Sequence, residues 1–221
     1  MALNVVITGA NRGIGLSFCK YYKDRGYKII AVCRSSNTDL ESIADQVIDG
    51  IDISSDEDCK LLFEKLADVK IDLLINNAGI LANESLGELD FSSIEKQFLV
   101  NTIGTLRVSE GLVANLSEGG KIAIITSRMG SIADNTSGGV YGYRMSKAAL
   151  NAAAKSLAID LKPKGISVGI YHPGWVITDM TRGNGEITPE QSTAGVAALI
   201  ENLDLSKSGT FWHTNGEQLP W

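Results

Sequence analysis

A series of short apolar runs, separated by longer segments of helical character, constrains the fold of this chain most. The runs lie at residues 5–8, 29–33, 73–76, 122–126 and 166–171, and a further one lies at 209–213. Uninterrupted apolar runs of this length are typical of parallel strands that are buried on both faces. Strands that alternate with helices favour right-handed crossovers and a ligand site beyond the carboxyl ends of the strands. We therefore predict an α/β fold, with one doubly wound, mainly parallel sheet flanked by helices.

Helix punctuation supports this alternation. Gly26 marks the end of the first helix, and Ser55 with Asp58 resembles a capping box for the helix before Ile71. The segment 188–191 combines an N-cap threonine, a proline at the first helical position and a glutamine that completes a second box. This pattern predicts a helix that runs to about residue 202. We find no repeat or linker, so we predict a single domain over residues 1–221.

Composition and charge narrow the class of partner. The chain has 221 residues, 44% of them hydrophobic, and a formal net charge of −6. It has no basic cluster of the kind that binds nucleic acid or an anionic membrane, so a small molecule is the expected partner. Cys19, Cys33 and Cys59 lie far apart in the sequence, which argues against a disulfide framework or a structural metal site. We see no leader segment, and we expect a cytoplasmic protein.

A glycine-rich turn follows the first apolar run directly and opens the first predicted helix. Glycines there permit a tight turn and a close approach of backbone N–H groups to a phosphate. The spacing differs from G-x-G-x-x-G, and no Gly-Lys-Ser/Thr follows, so a triphosphate P-loop fits poorly. Taken alone, the turn is also compatible with simple packing of a helix on a strand. In this context it indicates a dinucleotide site of the Rossmann-like kind, whose turn residues are Gly9, Asn11, Arg12, Gly13, Ile14 and Gly15.

Two arginines favour NADP(H) over NAD(H). A carboxylate at the end of the second strand would bind the adenosine ribose of NAD, but this chain has Arg34 there. Arg34 and Arg12 are suited to binding a 2′-phosphate through charge-assisted hydrogen bonds. The alternative is that both are ordinary surface arginines.

A Tyr-x-x-x-Lys motif, formed by Tyr143 and Lys147, predicts the reaction chemistry. It follows the strand at 122–126, whose end carries Ser127. Residues four apart lie on one face of a helix, so we expect the Lys147 ammonium to lower the pKa of the Tyr143 phenol. When a hydride reaches a carbonyl carbon, the oxygen gains charge that must be stabilised and protonated. We expect Tyr143 to donate that proton and Ser127 to hydrogen-bond the oxygen, without a metal.

These motifs together resemble the short-chain dehydrogenase/reductase family over essentially the full length. The resemblance also includes the segment 76–79, Ser127-x-x-Gly130, and Pro173-Gly174 with Thr178. Within the family, the segments 127–131, 172–180 and 216–221 resemble C-factor-like and Sniffer-like carbonyl reductases. The interval from Ser127 to Tyr143 is a few residues longer than is usual in the family, and we place the extra loop at 135–139.

The resemblance implies roles for further residues. It adds Asn101 to Ser127, Tyr143 and Lys147 as a catalytic tetrad, through a water that connects Lys147 to solvent. It also implies a cofactor-binding set beyond the glycine turn and Arg34: Asp52 and Ile53 beside the adenine, Asn77, Ala78 and Gly79 along the cofactor, Pro173, Val176 and Thr178 at the nicotinamide end, and Tyr143 with Lys147.

Several further expectations concern substrate and assembly. Residues 179–188 read as a short lid, and apolar residues on several faces of the helices near 91–116 and 141–161 favour a homodimer, with a tetramer as the alternative. The main prediction is an NADPH-dependent reductase of an aldehyde, ketone or quinone. The runner-up is a C-factor-like signalling or redox-sensing protein with little turnover. A methyltransferase fits less well, because it gives no reason for the Ser-Tyr-Lys arrangement.

Overall fold

A computed structural model describes residues 2–221, and it contains one seven-stranded sheet in which every neighbouring pair is parallel. The spatial order of the strands is β3-β2-β1-β4-β5-β6-β7. The predicted doubly wound α/β fold is therefore confirmed. The strands are β1 (Asn4–Thr8), β2 (Lys28–Val32), β3 (Gln46–Ile48), β4 (Ile71–Asn76), β5 (Leu116–Ile125), β6 (Ser167–His172) and β7 (Phe211–His213).

Helices cover both faces of this sheet. They are α1 (Gly13–Lys23), α2 (Thr38–Ile43), α3 (Asp56–Lys65), α4 (Phe91–Phe98), α5 (Thr105–Gly111), α6 (Tyr141–Leu161) and α7 (Pro189–Glu201). The core accordingly forms two clusters. In one, α3, α5 and α6 pack on the sheet, and in the other α1, α2 and α7 pack on the opposite face.

The strand order reverses between β1 and β4, and this reversal positions the site. The chain builds outwards from β1 through β2 to β3, and then returns to place β4 on the other side of β1. Thr8 pairs in register with Val32 and with Asn76, so the carboxyl ends of these three strands lie level. A crevice at such a reversal is the usual ligand position in an open α/β sheet.

The helical predictions differ from the structure mainly in the segment 91–116. There α4 and α5 are joined by a π-helical stretch, Leu99–Gly104, and a short 3₁₀ turn follows at Val113–Asn115. The boundaries of α6 agree with the prediction, and the capping box of Thr188 and Gln191 is fully formed. At the start of α3 the predicted box is only half formed.

That half-formed box has a local cause. Ser55 accepts from the backbone N–H of Asp58, but the Asp58 carboxylate accepts from the backbone N–H of Asp52 instead of closing the box. The strand β3 was not predicted, because three residues with only Ile48 fully buried give little periodicity. Within residues 2–221, no helix is both long enough and apolar enough to cross a bilayer.

Candidate active site

A cavity of about 800 Å³ opens beyond the carboxyl ends of the central strands. It brings together fifteen of the residues that the sequence predicts for the cofactor, from both ends of the chain. Those lining residues are Gly9, Asn11, Arg12, Gly13, Ile14, Arg34, Asp52, Ile53, Asn77, Ala78, Gly79, Tyr143, Lys147, Pro173 and Thr178.

The cavity wall also has residues that the sequence did not predict to bind the cofactor, two of them from the predicted lid. Most of them are direct neighbours of predicted residues at strand ends, and the strand-end rule was the signal that could have found them. They are Val32, Cys33, Ser35, Ile51, Ile80, Val100, Ile125, Thr126, Ile177, Asp179 and Met180.

The glycine turn has the geometry of a phosphate cradle. Gly9 and Gly13 adopt positive φ angles of 66° and 53°, which L side chains rarely tolerate. A Cβ at Gly9 would lie 2.8 Å from the Ala78 Cα. Arg12 occupies the N-cap of α1, and no side chain among residues 2–221 hydrogen-bonds this cap. The first amides of α1 are therefore open to an anion.

Gly15 packs against the glycine turn from within α1. It does not line the cavity, and a Cβ there would lie 2.1 Å from the Gly9 carbonyl oxygen. Its bare backbone allows α1 to pack directly on the turn. Asn77 stabilises the same turn, because its Nδ2 donates to the carbonyls of Thr8 (3.2 Å) and Gly9 (3.1 Å).

Charged side chains are concentrated at the end of the cavity near β2. Arg34 lines it, beside Asp52. Burial opposes ionisation of Asp52, but hydrogen bonds from Ser54, with help from the charge of Arg34, outweigh this effect and lower its pKa. The Arg12 guanidinium lies 3.1 Å from the Asp179 carboxylate, in an ion pair whose two side chains are 64% and 76% exposed. Arg12 thus spans the crevice from the glycine turn to the predicted lid.

Tyr143 and Lys147 lie at the opposite end of the cavity, on the first two turns of α6. Both are buried, and the Lys147 Nζ lies 5.7 Å from the centroid of the Tyr143 ring. The same Nζ donates to the Ile125 carbonyl at 3.0 Å, which holds the ammonium at the end of β5. The predicted proximity of phenol and ammonium is therefore present.

The electrostatics of this pair differ from the prediction. Burial raises the pKa of Tyr143 to about 12, and an interaction with the Ser127 side chain acts in the opposite direction. Burial also lowers the pKa of Lys147 to about 8. Desolvation disfavours both charged forms, so the expected net lowering of the Tyr143 pKa by Lys147 is wrong for this structure. At neutral pH the phenol keeps its proton.

Ser127 is the N-cap of a short 3₁₀ turn, Arg128–Gly130, just beyond β5. Its hydroxyl accepts from the Met129 N–H at 3.1 Å, and its residue is 6% exposed. A Cβ at Gly130 would lie 2.7 Å from the Lys147 carbonyl carbon, so glycine at this position lets the turn pack on α6. The contact explains the Ser127-x-x-Gly130 spacing, and the Ser127 side chain lies close enough to Tyr143 to act on its pKa.

Asn101 lies in the π-helical stretch and is fully buried behind the cavity wall. Its side chain exchanges hydrogen bonds with both backbone groups of Ile80, at 2.8 and 2.9 Å, and donates to the Ser146 hydroxyl at 3.0 Å. Ser146 in turn donates to the Tyr143 carbonyl at 2.8 Å. A Cβ at Gly79 would meet both the Asn101 Oδ1 (3.2 Å) and the Lys147 Nζ (3.7 Å), so these two groups flank one glycine.

Ser146 was missed, although it stands inside the Tyr-x-x-x-Lys motif. Its hydroxyl links the π-helical stretch to the backbone of the tyrosine. A serine one residue before the lysine, on the buried face of an otherwise amphipathic helix, was the available signal.

The segment after β6 lines the cavity with Pro173, Thr178 and three further residues, but not with Val176. Val176 is buried away from the cavity, and its carbonyl accepts from the Thr181 hydroxyl. The predicted lid begins with a short helical turn, Asp179–Thr181, that packs on Thr178. His172 is packed against His213, and burial followed by the charge of His213 lowers its pKa to about 3. His172 is therefore a neutral, packed side chain at neutral pH.

A family model for short chain dehydrogenases matches residues 3–188. The chain belongs to this family. The family resemblance that the sequence predicts is therefore confirmed.

Two relatives make the family assignment more specific. One is a 1-hydroxy-2-glutathionyl-2-methyl-3-butene dehydrogenase from Rhodococcus sp. (strain AD45), 40% identical over 98% of this chain and 99% of the relative. The other is the C-signal of Myxococcus xanthus, 42% identical over 68% of this chain and 93% of the relative. The second agrees with the C-factor-like resemblance of the sequence analysis.

Solved structures extend the comparison to carbonyl reductases. The carbonyl reductase Sniffer of D. melanogaster superposes with a TM-score of 0.90 and 27% identity over the whole of both chains. The NADPH-bound carbonyl reductase from chicken fatty liver superposes with a TM-score of 0.88 and 27% identity, again over both whole chains. These neighbours associate the fold with an oxidoreductase that uses a nicotinamide cofactor.

Proposed function

We propose that this protein is an NADPH-dependent oxidoreductase that reduces an aldehyde, ketone or quinone carbonyl to an alcohol, with Tyr143 as proton donor. One observation carries the proposal: a buried, protonated phenol and a buried amine share a cavity with a glycine turn that is built to accept phosphate. A small-molecule carbonyl compound is the proposed partner.

The residues present fit a dinucleotide. The start of α1, which has no side-chain cap, faces the cavity beside Gly9. A side chain at position 9 would clash with the backbone of Ala78. Arg12 and Arg34 supply positive charge at the end near β2, and this charge favours a 2′-phosphate over a free ribose hydroxyl. When bound, NADPH would supply the hydride that the reduction needs.

The side chains of this protein would then handle charge and proton at the substrate oxygen. Tyr143 holds its proton at neutral pH, as an ordinary phenol does, and burial extends this to higher pH by raising its pKa. A neutral phenol is the form that can donate. Ser127 would hydrogen-bond the same oxygen as negative charge develops on it. Lys147 would return a proton to the phenol from its ammonium, and Asn101 would hold the adjoining backbone in place. The chemistry needs no metal.

The direct test is consumption of NADPH by the purified protein in the presence of a panel of aldehydes, ketones and quinones. The absorbance of the reduced nicotinamide measures this consumption. We expect turnover with at least one carbonyl class, and a higher kcat/KM with NADPH than with NADH. Tight nucleotide binding without turnover of any panel member would contradict the reductase proposal.

The name of the Rhodococcus relative describes a glutathionyl alcohol that is oxidised. We therefore include a glutathione-conjugated alcohol with NADP⁺ and NAD⁺ in the panel. Preferential turnover of that alcohol would assign this protein to the oxidative direction.

The second candidate is a signalling or redox-sensing protein with little turnover. The 42% identity to the C-signal favours it. The same assay distinguishes the two functions, because the signalling function predicts nucleotide binding without turnover. In that case Tyr143→Phe would leave every measured property unchanged.

We also propose a homodimer, formed through α4, the π-helical stretch and α6. Phe91, Leu99 and Ile159 on these helices are large apolar residues that are 45–68% exposed in the single chain. Sedimentation velocity is expected to show twice the mass of one chain, and a Leu99→Glu, Ile159→Glu variant to show one. Leu86→Glu, on an exposed loop, is the control. A monomer in the unmodified protein would reject the dimer, and a larger species would indicate a tetramer.

A further inference from the structure

The segment that follows β4 carries a buried carboxylate, that of Glu84, which contacts the start of α6. Glu84 is 4% exposed, and Gln97 of α4 is 1% exposed beside it. The Gln97 Nε2 donates to the Glu84 Oε1 at 2.5 Å, and the Ser93 hydroxyl donates to the same oxygen at 3.3 Å. The other oxygen, Oε2, accepts from the Gly142 N–H at 3.1 Å. No cation within residues 2–221 forms an ion pair with this carboxylate.

The Gly142 contact makes Glu84 a cap for α6 that is supplied from another part of the chain. Gly142 is the second residue of this 21-residue helix, and Val140, its N-cap, has no side-chain capping bond. An anion that accepts from a first-turn N–H satisfies a free donor and interacts favourably with the helix dipole. Tyr143 follows Gly142 directly, so the cap acts one residue from the phenol that we assign as proton donor.

Two further features show how tightly this cap is held. Val140 adopts a left-handed conformation with φ of 51°, which is unfavourable for a β-branched residue, and its N–H donates to the Glu84 carbonyl at 2.9 Å. A Cβ at Gly142 would lie 2.6 Å from the Gln97 Nε2 and 3.1 Å from the Glu84 Oε1. The close contact between the start of α6 and the Glu84–Gln97 pair therefore requires a strained conformation at Val140 and a glycine at position 142.

Glu84 and Gln97 also belong to a regular series of side-chain hydrogen bonds made with residues 80–84. Asn101 binds both backbone groups of Ile80, the Gln97 Oε1 accepts from the Ala82 N–H at 3.0 Å, and Glu84 binds the start of α6. Alternate residues of this segment are thus fixed by polar side chains. The segment begins where Asn77, Ala78 and Gly79 line the cavity. It therefore joins the cofactor wall mechanically to the turn that carries the phenol.

We infer that Glu84 and Gln97 are positioning residues for the reaction: together they fix the first turn of α6 relative to the cofactor wall, so that the Tyr143 phenol stands at the substrate oxygen. This inference rests on the proposed function for its kinetic consequence. The structural part of the inference, a fixed first turn, holds for any function of the site.

The hydrogen-bond inventory explains why one carboxylate and one amide are needed. Glu84 must accept on both oxygens, and Gln97 must accept from Ala82 while it donates to Glu84. An amide at position 84 would present a donor either to the Gly142 N–H or to the Gln97 amide. Turning Gln97 over would place its NH₂ against the Ala82 N–H instead. Every arrangement of Glu84→Gln therefore leaves two donors facing each other.

Exchanging the two side chains restores every backbone bond in this inventory. In the double variant Glu84→Gln, Gln97→Glu, the carboxylate at 97 accepts from the Ala82 N–H and from the amide at 84, and the amide oxygen at 84 accepts from the Gly142 N–H. The net charge is unchanged. The swap thus tests the pair itself, with the composition of the protein held constant.

The experiment compares Glu84→Gln, the swapped double variant and the unmodified protein, with Glu88→Gln as the control on an exposed residue of the same segment. Three properties are measured: kcat and the KM for NADPH with the best carbonyl of the panel, the primary isotope effect with 4-deuterated NADPH, and amide hydrogen exchange of the peptide 140–146. We expect Glu84→Gln to lower kcat at least tenfold, with the KM for NADPH changed less than threefold and a larger isotope effect.

Exchange of the peptide 140–146 should be faster in Glu84→Gln and recover, together with kcat, in the swapped variant. Equal kcat and exchange in Glu84→Gln and Glu88→Gln would overturn the inference. So would a loss that the swap leaves uncorrected, or a loss confined to the KM for NADPH. Absence of turnover in the unmodified protein would refute the proposed function alone, because the exchange measurement still decides whether the pair fixes this turn.

Discussion

The two ends of the crevice hold their polar side chains in opposite ways. Across the glycine turn, Arg12 and Asp179 meet in solvent, with side chains that are 64% and 76% exposed. At the catalytic end, Asn101 is fully buried, Lys147 is 3% exposed, and both are fixed to backbone groups. One end is an open set of charges, and the other is a buried network of hydrogen-bonded groups.

This difference indicates how each end does its work. Exposed charges are screened by water and salt, so they bias which nucleotide binds without fixing atoms within a fraction of an ångström. Buried groups each have a required partner, so they fix positions, and the loss of one partner is costly. We therefore expect substitutions at the catalytic end to abolish turnover, and those at the β2 end to shift selectivity.

The largest effect is expected from Tyr143→Phe, which removes the proposed proton donor and keeps the ring. Loss of a positioned general acid costs roughly 10²–10⁴-fold in rate, and we expect kcat to fall within this range while the affinity for NADPH stays within a few fold. Steady-state kinetics and nucleotide fluorescence titration measure the two quantities. Tyr141→Phe, two residues earlier, is the matched control, and equal activity of the two variants would rule out the assigned role.

The next effect concerns Arg34. Replacement by Ala removes the charge that we expect to bind a 2′-phosphate, and a charge-assisted hydrogen bond contributes about 1.5–3 kcal/mol. The ratio of kcat/KM with NADPH to that with NADH should therefore fall by about 10–100-fold, with the NADH value nearly unchanged.

Arg25→Ala is the control for Arg34, because Arg25 lies beyond the opposite end of α1. If Arg34→Ala lowers the efficiency with both nucleotides equally, then Arg34 shapes the cavity and does not select the phosphate.

A pH dependence follows from the buried lysine. Burial lowers the pKa of Lys147 from 10.5 to about 8, so its ammonium is present below that pH and is lost as the pH rises through it. If the ammonium supplies the proton, log kcat/KM for carbonyl reduction should be level at neutral pH and fall with a slope of about one above pH 8. Lys147→Arg retains a positive charge but cannot release a proton in this pH range, so its kcat/KM should be low and independent of pH. A level profile well above pH 8 in the unmodified protein would show that this amine does not supply the proton.

The smallest effect is expected at the exposed ion pair. Asp179→Asn frees Arg12 for a 2′-phosphate, and such pairs contribute about 0–1 kcal/mol. The KM for NADPH should therefore fall by no more than about fivefold, with no measurable change in thermal stability. Asp160→Asn, on the surface of α6, serves as the control. A large loss of activity in Asp179→Asn would place this pair with the buried network, and would remove the contrast between the two ends.

The sequence alone sufficed for those parts of the site that depend on local pattern. The apolar runs predicted most strands of the sheet, and the strand-end rule brought Arg34, Tyr143 and Lys147 to one cavity. Local patterns fix these features because burial on both faces and positive φ angles restrict which residues can occupy a position.

Long-range contacts account for what the sequence did not reveal. The sign of the pKa shift at Tyr143 depends on how much of the protein surrounds the phenol, and no i, i+4 spacing reports that. The role of Gly15 depends on its distance from the Gly9 carbonyl. Glu84 and Gln97 look like ordinary surface residues in the sequence, because the groups that they bind belong to other elements.

The π-helical stretch Leu99–Gly104 has a consequence for how this chain tolerates insertions and deletions. Each residue of an α-helix advances it by about 100°. A π-helical turn holds about one residue more than an α-helical turn, so removing one residue within this stretch would favour a continuous α-helix and leave α4 and α5 in similar relative orientation. Removing one residue from α5 itself would instead rotate the fully buried Val108 and Leu112 out of the core by roughly that angle. The π-helical stretch is thus the part of this segment in which a one-residue change of length disturbs the core least.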